Sequence, residues 1–151
     1  MTLLASKRFL VALDSSPRAS LVLAHAVELA SKLGARLVLL RVSGIPIGVP
    51  LEAFVSSPVE LAEMLEKVAQ DELQRQADGV PPALLEKMLT LMGTPWDGIC
   101  STAKQENVDL IIIGSHGYAG LDRILGTTAS RVVNHADRSV LVVRGEPINP
   151  G

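Results

Sequence analysis

The sequence predicts an α/β domain built on an open parallel sheet. Two observations carry this. Short, uninterrupted apolar runs such as Phe9-Leu10-Val11-Ala12-Leu13 and Asp109-Leu110-Ile111-Ile112-Ile113 lack the alternation of a half-exposed strand. They read as strands buried on both faces, as in a parallel sheet covered on each side. Between these runs lie stretches with apolar residues at helical spacing, so strand and helix alternate along the chain. The 151 residues suit one domain, taken here as 1–151.

The first strand, Phe9 to Leu13, ends at Asp14-Ser15-Ser16-Pro17. Ser16 and Pro17 are expected as N-cap and first-turn residue of a helix. Val22, Ala26, Leu29, Ala30 and Leu33 form its apolar stripe, and Gly34 its stop. Arg36 to Val42 is the second strand, which completes a right-handed βαβ unit. Gly44, Pro46, Gly48 and Pro50 break regular structure, so Ser43 to Ser57 is expected as a loop. Ser57-Pro58-Val59-Glu60 spells a capping box, and Leu61, Leu65, Val68, Ala69 and Leu73 form the stripe of a second helix. Gly79-Val80-Pro81-Pro82 closes it. Met88 to Met92 reads as the third strand, and Gly93-Thr94-Pro95 starts a third helix with Ile99, Ala103 and Cys100 facing inward. The fourth strand is Asp109 to Ile113, the fourth helix Thr127 to His135, the fifth strand Ser139 to Arg144. The tail from Gly145 to Gly151 is loose.

Composition narrows the function. The formal net charge is −2, with neither a basic excess nor a basic stripe, so phosphate-neutralising nucleic-acid binding is not expected. Aromatics at 3% exclude a base-stacking platform. One cysteine, Cys100, excludes an internal disulfide and a cysteine-based zinc site. The start, Met1 to Arg8, lacks the order of a signal peptide, and no apolar run reaches the roughly 18–20 residues of a membrane span. A soluble, cytoplasmic protein with no membrane contact is the expectation.

In an open sheet of this kind ligands bind beyond the carboxyl ends of the strands, where the strand order reverses. With the Rossmann-like order 3-2-1-4-5 the reversal falls between the first and fourth strands. Asp14 ends the first and Gly114-Ser115-His116-Gly117 ends the fourth, so two unusual polar segments meet at one crevice. Glycines 114, 117, 120 and 126 permit close backbone approach to a ligand. Gly126-Thr127-Thr128 opens a helix, whose free N–H groups suit a phosphate. A plain glycine-rich turn, with Thr127 as an ordinary N-cap, accounts for the segment equally well. It is neither a P-loop nor the dinucleotide fingerprint, because Asp-Ser-Ser-Pro follows the first strand.

Over residues 7–144 the chain resembles the universal stress protein family. Its nucleotide-binding members carry Gly-x-x-Gly, nine residues, then Gly-Ser/Thr, a helix and a Val-rich last strand. Gly114-Ser115-His116-Gly117 matches the opening, Gly126-Thr127 the close, and Ser139-Val140-Leu141-Val142-Val143 the last strand. Positions 118 to 125 separate the two glycine ends, eight residues in place of nine, so this loop is expected to be tighter or displaced. The resemblance implies that Ala12 and Val42 flank adenine, with Asp14 near the adenine and ribose edge beside Ser15. It implies that Gly114, Ser115, His116 and Gly117 approach the ribose and α-phosphate. Gly126, Thr127 and Thr128 would hold the outer phosphates of ATP, with Mg²⁺ bridging phosphate oxygens. It further implies a homodimer joined along the fifth strand, an edge that would otherwise be bare unless the tail, Gly145 to Gly151, folds back over it and leaves a monomer.

The remaining chemistry-bearing residues read as structural. His116 has no carboxylate placed to orient it as a base and reads instead as a loop histidine lining the pocket. His25 and His135 lie on helix flanks, Cys100 reads as a small apolar residue, and Trp96 packs at a helix start. No activated nucleophile or acid–base pair assembles from the sequence, so no catalytic residue is assigned. Three functions stay open: an ATP-binding stress-response or signalling module with little or no turnover, a slow ATPase, and a dimerising adaptor that binds no nucleotide.

Overall fold

A computed structural model describes residues 7–44, 58–115 and 125–145. The expected loop over 45–57 with its Ser57 cap, His116, Gly117 and the tail beyond Gly145 lie outside these residues. Five strands, β1 (Arg8–Ala12), β2 (Arg36–Ser43), β3 (Leu85–Met92), β4 (Leu110–Gly114) and β5 (Ser139–Val143), form one parallel sheet of order β3-β2-β1-β4-β5. The helices are α1 (Ala19–Leu33), α2 (Pro58–Ala77), α3 (Pro95–Gln105) and α4 (Thr127–His135). The Rossmann-like expectation and its strand order hold.

The two-residue side-chain period divides each central strand between two cores. Phe9, Val11, Leu37, Leu39 and Ile112 pack under α1 and α2, whereas Leu10, Val38, Leu40, Ile111 and Ile113 pack under α3 and α4. Leu10, Leu37, Leu39, Leu40, Ile111 and Ile112 have no solvent exposure. Burying each contributes about 1.5–3 kcal/mol, which fixes β1, β2 and β4 as the rigid centre.

Four details correct the sequence reading. Ser16 is not the N-cap of α1. Arg18 holds that place, and the Ala19 N–H donates to the Ser16 carbonyl at 3.1 Å. Pro17 therefore occupies the second position of a turn, where its fixed φ is equally suited, and the helix starts two residues later. The third strand begins at Leu85, three residues before Met88, because Leu37 and Val38 of β2 already offer it partners. Val68 is 55% exposed and Met64 52%, while Ala69, Leu73 and Ala77 of the same helix are buried. Gly126, not Thr127, is the N-cap of α4. Cys100 is half-buried, at the edge of the second core. Gly34 ends α1 as expected, in the left-handed conformation at φ 67°. Among the described residues no helix is long and apolar enough to cross a membrane.

Candidate functional site

Beyond the carboxyl edge of the sheet, the ends of β1, β2 and β4 and the starts of α3 and α4 enclose a cleft of about 370 Å³. That size is at the small end of ligand pockets. It sits where the strand order reverses, since β1 has β2 on one side and β4 on the other. β1 contributes Ala12 and, past its last residue, Leu13 and Asp14; β2 contributes Val42. Pro95 and Ile99 come from the first turns of α3, and Ile113 and Gly114 from β4. Gly126, Thr127, Thr128 and Ala129 close the cleft from α4.

The cleft is chemically two-ended. Toward β2 and α3 its wall is hydrocarbon: Val42, Pro95 and Ile99, continued by Ala12. Toward α4 it is the start of a helix with no side-chain cap and no acidic residue in its first turn. The first bond within α4 runs from the Ser130 N–H to the Gly126 carbonyl, 2.9 Å. The preceding amides of Thr127, Thr128 and Ala129 have no intrahelical acceptor, and they carry the positive end of the helix dipole. Gly126 adopts φ −62°, ψ 165°, a conformation open to any residue. Strain therefore does not demand a glycine at this buried position.

Asp14 is the one ionisable side chain among the described residues lining the cleft. Its Oδ1 accepts from the Ser16 N–H at 2.9 Å, and its carbonyl accepts from Gln76 Nε2 at 3.2 Å. The turn after β1 is thus tied to itself and to α2. Ser15 is exposed on this turn and does not line the cleft. Ser115 does not line it either. It is 6% exposed, its N–H donates to the Val143 carbonyl at 2.9 Å, and its carbonyl accepts from the Gly126 N–H at 3.4 Å. Ser115 positions α4 against the sheet.

The structure therefore brings Ala12, Asp14, Val42, Gly114, Gly126, Thr127 and Thr128 to one cleft. Sequence reasoning missed Pro95 and Ile99, reading the first as a helix start and the second as core. Both are correct descriptions, but Ile99 is at once a core residue and a cleft wall. At Cys100, next to it, burial pushes the thiol pKa up and the carboxylates of Asp97 and Asp137 add to that, which favours the thiol over the thiolate. Trp96 packs on His135, ring centroids 4.6 Å apart, and His135 Nδ1 is 2.8 Å from the Arg131 carbonyl. Among the described residues no group of three or more His, Cys, Asp or Glu side chains gathers for a metal ion.

Residues 5–144 match the Universal stress protein family. This chain belongs to that family. Universal stress protein A homolog 1 of Coxiella burnetii is 32% identical over 138 residues, covering 91% of this chain and 95% of the relative. The structure of universal stress protein UspA from Lactobacillus plantarum superposes with a TM-score of 0.68 at 30% identity, covering 91% of this chain and 97% of that one. The universal stress protein from Archaeoglobus fulgidus, solved in complex with dAMP, has a TM-score of 0.54 at 23% identity, with 91% and 98% covered. At that identity the likeness is one of fold.

Proposed function

We propose that this universal stress protein binds an adenine nucleotide, ATP with Mg²⁺, in the cleft and acts as a stress-response or signalling module with little or no turnover. One observation carries the reading: a hydrocarbon wall and an uncapped helix N-terminus face one cleft at the switch point of the sheet. A nucleotide has the same two ends, a flat apolar base and an anionic phosphate chain. Gly114 and Gly126 stand where the resemblance puts the glycine ends of the family's nucleotide-binding members, and the dAMP held by the Archaeoglobus protein is of the same ligand class.

In this reading Ala12 and Val42 contact the base, and the Thr127 and Thr128 amides and hydroxyls receive the outer phosphates. The polar side chains on the cleft, two threonine hydroxyls and the Asp14 carboxylate, offer only oxygen, which suits a hard cation such as Mg²⁺. Bound there, the cation would neutralise phosphate charge. Little or no turnover is part of the reading because the described residues on the cleft offer no nucleophile and no acid–base pair. The proposal treats residues 1–151 as one cytoplasmic domain that dimerises through β5.

The test is a calorimetric titration of ATP with Mg²⁺ into the wild type and Gly126→Val. Valine tolerates the backbone conformation at 126, so the variant should fold, with its side chain obstructing close approach of the phosphates. The expected result is binding by the wild type and a loss of about tenfold or more in the variant, 1.4 kcal/mol or above. A wild type that takes up no ATP overturns the reading. Equal affinity in both proteins moves the phosphates away from α4.

A further inference from the structure

Gly98 lies in the interior of α3, one residue before Ile99 of the cleft wall. Glycine weakens a helix relative to alanine, so helix formation gives no reason for it. Space does. A Cβ at position 98 would stand 2.9 Å from one methyl carbon of Val42 and 3.0 Å from the other. Ordinary carbon contacts are about 3.5–4.0 Å. Val42 cannot easily yield, because a β-branched side chain is stiff at χ1 and its backbone pairs with Leu91 of β3.

Resting on the nucleotide reading above, we propose that Gly98 is a specificity-determining residue of the cleft. Its missing side chain lets the Val42 isopropyl group settle against α3, which keeps the hydrocarbon end wide enough for a two-ring base. A methyl group at 98 leaves two escapes. Either Val42 turns toward the cleft, or the first turns of α3 lift and carry Pro95 and Ile99 with them. Both reshape the same wall, and both penalise a purine more than the smaller pyrimidine.

A double-mutant cycle over Gly98→Ala and Val42→Ala tests this, read by ATP and CTP titrations and by thermal unfolding without nucleotide. Gly98→Ala should weaken ATP binding about tenfold, the scale of overpacking by one methyl, and weaken CTP binding less. On the Val42→Ala background the same substitution should leave ATP affinity unchanged. The thermal midpoint should fall when alanine is placed at 98 beside valine, and hold or rise when it is placed beside Ala at 42. Unchanged ATP affinity in Gly98→Ala overturns the proposal, as does an equal loss on both backgrounds. A wild type that binds neither nucleotide defeats the nucleotide reading and the specificity role with it. The thermal cycle still decides the contact itself: equal shifts on both backgrounds would refute it.

Discussion

Arg8 gathers its partners at the amino edge of the sheet, the end away from the cleft. Its Nε donates to both carboxylate oxygens of Glu86, at 2.9 and 3.0 Å, and Nη2 reaches Glu106 Oε1 at 3.1 Å. Nη1 donates to the Glu106 carbonyl, and Lys87 Nζ adds a 2.8 Å contact to Glu106 Oε1. The hydrogen bond from Arg8 holds the Glu86 carboxyl below its ordinary value of 4.5; Lys87, then Arg8, does the same for Glu106. A depressed carboxylate pKa stabilises the fold above the unfolded value, and that contribution fades as pH falls through the folded one. Thermal midpoints followed from neutral pH downward should drop below about pH 4.5, steeply for the wild type and less so for Arg8→Met. Parallel curves would mean that the cluster adds nothing to acid stability.

At the scale of elements, β3 and β5 are the two edge strands, and β5 is the one expected to pair. It stands last in the sheet order, next to β4 only, and Leu141 is 37% exposed. Among the described residues no strand pairs with its outer edge, and a second copy related by a two-fold axis would satisfy those backbone groups in a closed way. Light scattering at micromolar concentration should then give twice the 16.0 kDa chain mass. Val142→Pro should lower the mass toward one chain, because proline removes a ladder donor. A folded Val142→Pro protein that remains fully dimeric puts the interface on another surface. Element identity was legible because β1, β2 and β4 are apolar without alternation, a pattern only a doubly covered strand produces here. Element edges were less so. Ser16-Pro17 fits a helix start and a turn equally well, and only the 3.1 Å bond to Ala19 separates them. Val68 sits one position before buried Ala69, on the flank of the stripe of α2, and periodicity does not report how wide a stripe the sheet covers. Gly98 was unreadable for a related reason: its cause is Val42, more than fifty positions away in sequence.

Over the whole molecule the two edges of the sheet divide the work. The amino edge carries the Arg8 cluster, and Arg138 reaches the α3 end of the same layer, donating to the Ala103 and Val108 carbonyls at 2.8 and 2.9 Å. The carboxyl edge carries the cleft, where strand ends and helix starts leave polar backbone groups facing outward. The site was legible as far as topology could place it. Asp14, Gly114 and Gly126 to Thr128 had to converge once the strand order was 3-2-1-4-5, whereas Ser115 turned inward to serve packing. At this convergence we propose a nucleotide site. Titrating ATP with Mg²⁺ into ¹⁵N-labelled protein and following its amide resonances addresses that claim most directly. The expected shifts concentrate at residues 12–14, 42, 114 and 126–129 and leave the Arg8 cluster unmoved. No shift at millimolar ATP, or shifts confined to other surfaces, would contradict it.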